Sequence, residues 1–389
     1  MTAVAVSTIY LPQPLLTDFI SQLGASTAGA SSIATAVQLG YALGIFLFVP
    51  LADHFQPRSQ ITLQMALLAA GLVTTAALPA TGSVAAGFFV VGLVANIAQL
   101  IIPTAAKLAP ADAKHSTTSV LVGSLLIGIF GGRIVAGLLG ALIGWRGVLL
   151  LFALFVVLCL PLIRRVIPND LPVADRIAYH RILLSTVRRL GTSRVLLESA
   201  IMQFFGFAAF NAVWTVMVLH LTGPSVHWSV AAAGLFGLVG IAAGVVTLVA
   251  ARAVQRWGSR RAVTTAIVVL IAALSSATVD NRLIWLFAPS VFLLTWANQV
   301  LQSANQSRVL LANPGSAAQA NTMFMTAVFL GGSLGAALGS IAFDRDGMTG
   351  VGEIGVVLAA LAGVVWLTSS LWDRRAAGRG PSMSVSPVV

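Results

Sequence analysis

The sequence predicts an all-α integral membrane protein with twelve transmembrane helices arranged as two pseudo-symmetric six-helix bundles. Of its 389 residues, 58% are hydrophobic and only 8% are charged, whereas soluble domains carry about a quarter charged residues. A hydrocarbon core about 30 Å thick needs roughly 20 apolar residues per helix, and the chain contains a dozen such runs between short polar breaks. This composition excludes an ordinary globular protein.

Each predicted span is an apolar run bounded by polar or turn-forming residues. The spans are 1–17, 28–52, 60–78, 83–106, 117–143, 147–163, 196–220, 228–251, 262–279, 283–307, 317–342 and 351–372. No positive charge precedes the first apolar run, so it is interpreted as a helix and not as a signal peptide. At 1.5 Å per residue the 16 residues from Met1 to Leu16 reach only about 24 Å, and we expect helix 1 of the natural protein to begin upstream.

The distribution of Lys and Arg predicts the orientation, because positive residues in short loops are retained in the cytoplasm. The side that holds both termini has 18 of the 22 Lys and Arg residues, the other side has 3, and Arg133 falls inside a span. We therefore expect a multi-pass protein of the inner (plasma) membrane with both termini in the cytoplasm.

One long polar connection divides the chain between the sixth and seventh spans. It contains two prolines followed by RIAYHRILLSTVRRL, which is typical of a basic amphipathic helix. The predicted domains are an N-terminal bundle at 1–163, a cytoplasmic linker at 164–195, a C-terminal bundle at 196–372 and a cytoplasmic tail at 373–389.

Charge and cysteine content narrow the class of protein further. The net charge of +11 comes from small clusters between apolar runs, without the aromatic-rich basic surface that binds nucleic acid. The single Cys159 builds neither a disulfide framework nor a cysteine metal site, and no phosphate-binding loop of the G-x-x-x-x-G-K-[ST] type occurs. We expect no metal, no cofactor and no nucleic acid, and a monomer whose partners are the bilayer, a small solute and, as a further option, protons.

Two loops indicate an internal repeat. The loop after helix 2, PLADHFQPRSQ, aligns with the loop after helix 8, RAVQRWGSRRA, at an offset of 202 positions. The aligned pairs are Asp53 with Gln255, Phe55 with Trp257, and Arg58 with Arg260. Parallel six-helix repeats joined by a long connection are the arrangement that secondary transporters use for alternating access.

The first of these loops resembles the signature of the major facilitator superfamily, G-x-L-A-D-R-x-G-R-R. Matching positions are Gly44, Leu51, Ala52, Asp53 and Arg58, whereas His54 and Gln56-Pro57 depart from the pattern. The segments YLPQPLL, QLGYALG and GWR look like the drug and metabolite efflux branch, which couples export to protons. The resemblance implies that Asp53 and Arg58 latch the two halves in one conformation; the alternative for Asp53 is a solvated loop carboxylate.

Arg133 is the one clear ionisable residue at membrane depth, and such residues are costly and functional by default. It lies in a glycine-rich helix 5 that resembles the same helix of antiporters but lacks their Gly-Pro pair. Arg133 is predicted to act in coupling or as the counter-charge of the solute; the alternative is a structural arginine bonded to helix carbonyls. The first six spans have no Asp or Glu well inside the membrane, which favours a neutral or anionic solute over a lipophilic cation.

In transporters of this family the cavity is lined largely by helices 1, 4, 7 and 10, and side-chain amides gather there in this sequence. The predicted substrate-binding residues are Gln13, Asn96, Gln99, Gln203, Asn211, Trp214, Asn298 and Gln302, with weaker claims for Gln38, Tyr41 and Asn321. Amides facing lipid would lack hydrogen-bond partners, so they should point to the cavity or to another helix. Interhelical bonding is the alternative for each amide taken alone.

These observations predict a secondary active transporter that moves a small organic solute by alternating access, as proton-coupled efflux. The alternative within transport is an uncoupled uniporter of a neutral or anionic metabolite. A membrane-embedded enzyme or lipid-handling protein is the alternative from another class. It would require a catalytic group of His, Ser, Asp or Cys at membrane depth, which the sequence does not show, so we expect no enzyme activity.

Overall fold

The computed structural model describes residues 1–110, 112–169, 178–279 and 283–377, and within these ranges it contains helices and turns but no strand. Side chains are described throughout these ranges except at 53, 114, 115, 249–257 and 373–377. The predicted all-α fold class is confirmed. The parts of the predicted linker and tail at 170–177 and 378–389 lie outside the described residues.

The α-helices are numbered in chain order. They are α1 (Thr2–Ser7), α2 (Leu16–Leu23), α3 (Thr27–Phe48), α4 (Pro57–Ala77), α5 (Thr81–Val94), α6 (Ile97–Leu108), α7 (Lys114–Val166), α8 (Tyr179–Thr192), α9 (Arg194–Thr222), α10 (Val230–Leu235), α11 (Gly237–Trp257), α12 (Ser259–Val279), α13 (Ile284–Ala312) and α14 (Ala317–Ala377). Serine hydroxyls cap several starts, as at Ser26, Ser193 and Ser229, where each accepts a hydrogen bond from a backbone N–H.

Three predicted continuous helices are interrupted. The first span, predicted at 1–17, consists of α1, a 3-10 turn and a non-helical stretch before α2, which extends it to Leu23. Pro12 and Pro14 lie in this stretch and cannot donate the backbone hydrogen bonds that an α-helix needs. The predicted helices 83–106 and 228–251 are divided at Ala95–Asn96 and at Phe236.

Helix α7 runs across two spans and reverses direction at Gly144. Its 53 residues would extend about 80 Å as one rod, but Gly144 has φ 68° and ψ 169°, a conformation that glycine adopts without a Cβ clash. Before the reversal, Gly128 lies against Ala3 near the chain start. After it, the Arg146 guanidinium donates to the Leu78 carbonyl at 3.4 Å. Gly347, with φ 60°, makes the equivalent reversal in α14.

In the described part of the chain, nine helical segments are long and apolar enough to cross a membrane. Two of them contain the reversals at Gly144 and Gly347, and α1–α2 forms a further segment, so the structure is compatible with the predicted twelve spans. We call the side that carries α8 the linker face and the side that carries the two reversals the distal face. Side chains such as Leu142, which is 78% exposed, form the apolar surface that lipid would cover.

The two bundles repeat the same close helix packing. Two glycines of α7 pack against α1, and two glycines of α14 pack against α9. A Cβ added at any of the four would lie 2.1 to 2.6 Å from a backbone or Cβ atom of the facing helix. The pairs are Gly128 with Ala3, Gly132 with Ser7, Gly331 with Phe204 and Gly335 with Ala208. The glycines are 203 positions apart and their partners 201, each within one position of the loop offset of 202. Small residues permit this close approach in membranes.

Helix α8 of the linker contacts both bundles. The Tyr179 hydroxyl donates to the Leu47 carbonyl of α3 at 2.6 Å. On the other bundle, the Gln319 amide of α14 donates to the Ser185 hydroxyl at 3.2 Å and accepts from Arg189 at 3.5 Å. Helix α8 thus lies within the predicted linker and contacts both bundles at the linker face, and the predicted domain division stays a prediction.

Candidate functional site

Arg133 of α7 is the buried centre of the candidate site, with only 4% of its surface exposed. Its Nε donates to the Gln13 side-chain oxygen at 2.8 Å, and its Nη1 donates to the Ile129 carbonyl at 2.9 Å. Within the described residues, Nη2 has no hydrogen-bond partner. A guanidinium carries five N–H donors, so this buried cation retains donors for a further acceptor.

Aromatic rings surround the charge of Arg133. Its Cζ lies 4.2 Å from the ring centroid of Tyr10, 5.2 Å from that of Phe130 and 4.8 Å from that of Trp214. The ring faces stabilise the cation electrostatically without neutralising it. Among the residues that the structure describes, no carboxylate oxygen lies within ion-pair distance of Arg133, so its charge is uncompensated there.

A chain of hydrogen bonds that starts at Arg133 crosses the interface between the bundles. The Gln13 Nε2 donates to the Asn211 Oδ1 of α9 at 3.1 Å and to the Thr215 hydroxyl at 3.4 Å. The Asn211 Nδ2 donates in turn to the Gly332 carbonyl of α14 at 2.7 Å. A single polar chain therefore links the first bundle to the second through buried side chains.

The contact between Gln13 and Thr215 joins nearly equivalent positions of the two repeats. These residues are 202 positions apart, within one position of the 201 that separates the glycine-packing partners in the helices that start the two bundles. The contact therefore lies where the two repeats meet. Transporter sites typically lie at such a repeat interface near the middle of the membrane.

Gln38 of α3 adds further hydrogen-bonding capacity to the site. It is fully buried, and its side chain interacts with the Tyr10 hydroxyl. Its oxygen is 3.1 Å from the position that a Cβ on Gly332 would take. A side-chain amide has two donors and an acceptor oxygen, so a contact with one hydroxyl leaves capacity for a further ligand. We define the Arg133 site as Tyr10, Gln13, Gln38, Phe130, Arg133, Asn211, Trp214 and Thr215.

The other amides predicted in the second bundle form a separate cluster. The Gln203 Nε2 donates to the Asn298 Oδ1 at 3.2 Å, and the Asn305 Nδ2 approaches the Gln203 Oε1 at 3.5 Å. Gln302 is partly exposed. The structure thus brings Gln203 and Asn298 together between α9 and α13, apart from the contacts of Arg133.

The amides predicted in helix 4 occupy different surroundings. Asn96 lies at the break between α5 and α6, where its Nδ2 donates to the Leu93 carbonyl at 2.8 Å and its Oδ1 accepts from Gln64 at 3.3 Å. Both contacts stay within the first bundle. Gln99 is partly exposed and lies beside Tyr41. Substrate contact by these residues stays a prediction.

The predicted latch is only partly described. Arg58 lies in the first turn of α4 at the linker face and is half-buried. The Asp53 side chain lies outside the described residues. The latch therefore stays a prediction.

Sequence reasoning did not assign Tyr10, Phe130 or Thr215 to the site. Phe130 precedes Arg133 by three positions, which is one turn of α7, and Tyr10 precedes Gln13 by three positions within the predicted first helix. That spacing places side chains on one helix face, and it could have indicated them. Thr215 would have followed from applying the repeat offset to Gln13.

Two pseudo-symmetric helical bundles with a buried polar site at their interface are the arrangement of a membrane transporter. Residues 1–336 match the model of the Major Facilitator Superfamily, and the chain belongs to this family. It is 28% identical over 365 residues to the uncharacterized transporter YgaY of Escherichia coli O157:H7, covering 94% of this chain and 92% of that protein.

Two further comparisons agree with the family. A protein of Streptomyces coelicolor named as probable transporter SCO4007 is 30% identical over 359 residues, covering 90% of this chain and 81% of that protein. The crystal structure of a mutant of the nucleoside transporter NupG superposes with a TM-score of 0.75 at 14% identity, covering 95% of this chain and 98% of that one. At this identity the likeness shows the fold alone.

Proposed function

We propose that this transporter carries a small organic anion, which binds at the Arg133 site while the bundles alternate access between the two faces. The observation that carries the proposal is a buried guanidinium with unused Nη2 donors and no described carboxylate partner. A carboxylate or phosphate oxygen forms short, strong hydrogen bonds with such a group. The Gln38 amide, beside the Tyr10 hydroxyl, supplies further hydrogen-bonding capacity near it.

The same site supports movement of the bundles as the transport step. Gln13, Gln38, Arg133, Asn211 and Trp214 are each at most 4% exposed, so a solute reaches them only after the bundles part at one face. A solute that contacts both bundles stabilises the closed state, and thermal opening at either face releases the solute. This is alternating access around a fixed site.

We further propose that transport is outward and coupled to protons, with Asp18 as the proton-carrying candidate. Support comes from the efflux-type segments of the sequence and from the position of Asp18, five residues beyond Gln13. Its Oδ2 is buried and has no partner within the described residues. Uncoupled uniport is the second candidate, because no described carboxylate joins the Arg133 site itself.

Reconstitution into proteoliposomes tests this function. We expect counterflow of organic carboxylates or organophosphates and none of neutral sugars or nucleosides. An inside-acid gradient should accelerate accumulation if solute and protons exchange, whereas an outside-acid gradient should do so for symport. Equal rates with and without either gradient would establish uniport. Counterflow of neutral solutes alone, with empty vesicles as the blank, would reject the anion proposal.

The predicted orientation is tested by labelling two exposed arginine positions on opposite faces. In a Cys159→Ser background, Arg188→Cys of α8 should resist an impermeant maleimide in intact cells and react after permeabilisation. Arg345→Cys at the distal face should react in intact cells. The reverse pattern would show that the linker face is outside.

A further inference from the structure

Two grooves open on the linker face, one on each bundle. The first has a volume of about 400 Å³ and the second about 700 Å³. The first-bundle groove is lined by Arg58, Ser59, Thr62, Leu63, Ala66, Arg164 and Asn169. The second-bundle groove is lined by Arg260, Arg261, Thr264, Thr265, Trp366, Leu367 and Ser370. Each contains two arginines and at least two hydroxyl groups, and neither set of described lining residues includes a carboxylate.

The grooves are counterparts under the internal repeat. The offset of 202 positions converts five lining residues of the first groove into lining residues of the second. The pairs are Arg58 with Arg260, Ser59 with Arg261, Thr62 with Thr264, Leu63 with Thr265, and Arg164 with Trp366. Chance surface hollows would not fall on repeat-equivalent positions, so the groove is a feature of the repeated unit.

Local hydrogen bonding is also repeated. The Thr62 hydroxyl donates to the Arg58 carbonyl at 2.7 Å, and the Thr264 hydroxyl donates to the Arg260 carbonyl at 3.0 Å. In the second groove, the Trp366 indole N–H donates to the Thr264 hydroxyl at 2.9 Å and fixes the wall of the groove. Arg58 and Arg260 therefore start from equivalent backbone positions, and each groove adds a second arginine at a position of its own, Arg164 in the first and Arg261 in the second.

The chemistry of the grooves combines a basic end with an apolar strip. Leu63 and Leu367 are each 61% exposed, and they lie on the surface that faces lipid. A ligand with an anionic head and an apolar body satisfies both parts. Basic pockets between transmembrane helices on the cytoplasmic side bind phosphate head groups in this manner.

We propose that the paired grooves bind anionic phospholipids, one on each bundle, with the head-group phosphate between the two arginines. Positive residues at this face also serve topology, but topology requires neither a groove nor repeat-equivalent positions. Helix α8 contacts both bundles at this face. Lipids bound to each bundle there would make the movement of the bundles depend on the lipid composition of the membrane.

Native mass spectrometry of the purified full-length protein, titrated with phosphatidylglycerol, tests the proposal. We expect two tightly bound lipids per chain, and the loss of one in Arg261→Gln and of one in Arg164→Gln. Affinity at the changed groove should fall roughly fivefold for each arginine removed. Both side chains are exposed, so both variants should fold. Arg261→Glu reverses the charge, and it should lower the lipid affinity of the second-bundle groove more than Arg261→Gln does.

Matched controls distinguish lipid binding in the grooves from nonspecific attraction between anionic lipid and positive charge on the protein. Arg188→Gln on α8 and Arg345→Gln at the distal face remove the same charge outside both grooves, and each should retain two lipids. Phosphatidylcholine should not bind with comparable affinity, and inorganic phosphate should not displace phosphatidylglycerol. Retention of both lipids in the groove variants, an equal loss in the controls, or displacement by phosphate alone would overturn the proposal.

Discussion

Arg133→Ala should weaken solute affinity roughly thirtyfold or more. Removing one partner of a buried, hydrogen-bonded charge pair typically costs ~2 kcal/mol or more, and Arg133 has no described carboxylate that could replace the solute. Arg133→Lys should retain part of the affinity, because it keeps the charge but loses the planar fork of donors. The measurement is ligand affinity per folded molecule for both variants, with thermal stability recorded in parallel.

The melting temperature, measured beside the affinity, distinguishes a solute-binding role of Arg133 from a purely structural role. Arg133→Ala also removes the contacts to Gln13 and to the rings of Tyr10 and Trp214, so we expect a lower melting temperature in addition to weaker binding. Unchanged affinity in the folded fraction of Arg133→Ala would contradict the counter-charge role and assign Arg133 to structure alone. In that case a neutral solute held by the amides would be the better account.

Gly137→Leu should reduce transport at saturating solute by about tenfold or more, by preventing closure at the distal face. Gly137 follows Arg133 by one helical turn, and a Cβ there would lie 2.7 Å from the Cα of Gly234 in the other bundle. That contact is with backbone, so no side-chain rotation relieves it, and the bundles must separate. An obstruction worth ~1.4 kcal/mol already changes the equilibrium between conformations tenfold.

Accessibility measures this shift directly. Met217 is buried on α9 beside Arg133 and Gly234, and a Cys159→Ser, Met217→Cys protein should react faster with an impermeant maleimide from the distal face when Gly137→Leu is added. Gly123→Leu is the matched control on the same helix, since a Cβ at Gly123 meets no atom within 4 Å. Equal labelling in the two leucine variants would contradict closure at Gly137.

The helices and the repeat could be predicted from the sequence because they depend on local composition and on position along the chain. Apolar runs gave the spans, and the glycine packing and the contact between Gln13 and Thr215 have offsets within one position of the loop offset of 202. The interruptions at Pro12 and Pro14 had a local signal in the sequence. At the break after Ala95, Asn96 bonds to the Leu93 carbonyl and accepts from Gln64 of α4, and the second of these contacts is between helices and is not specified by the local sequence.

The Arg133 site includes residues that the sequence had singled out, although their role in binding stays a prediction. Arg133 was identified because an ionisable residue at membrane depth is rare. Gln13 and Asn211 were listed as amides on predicted cavity helices, without a predicted contact to Arg133. Which amides pair with one another depends on contacts between helices distant in sequence, and the sequence alone does not specify these. For that reason Asn96 was predicted to bind substrate together with Gln13 and Asn211, whereas its contacts in the structure stay within the first bundle. Gln38 was given only a weaker claim to substrate contact, although it lies beside Tyr10 in the Arg133 site.

The most direct test of alternating access is a reversible cross-link between the bundles. The Ser333 hydroxyl donates to the Thr35 carbonyl at 3.2 Å, and Thr35 lies one helical turn from Gln38 toward the distal face. In a Cys159→Ser background, the pair Thr35→Cys and Ser333→Cys is joined by a short bis-methanethiosulfonate reagent, and counterflow is measured before treatment, after it, and after reduction. We expect transport to stop on cross-linking and to return on reduction, with no effect on either single-cysteine protein. Full transport by fully cross-linked protein would contradict the account.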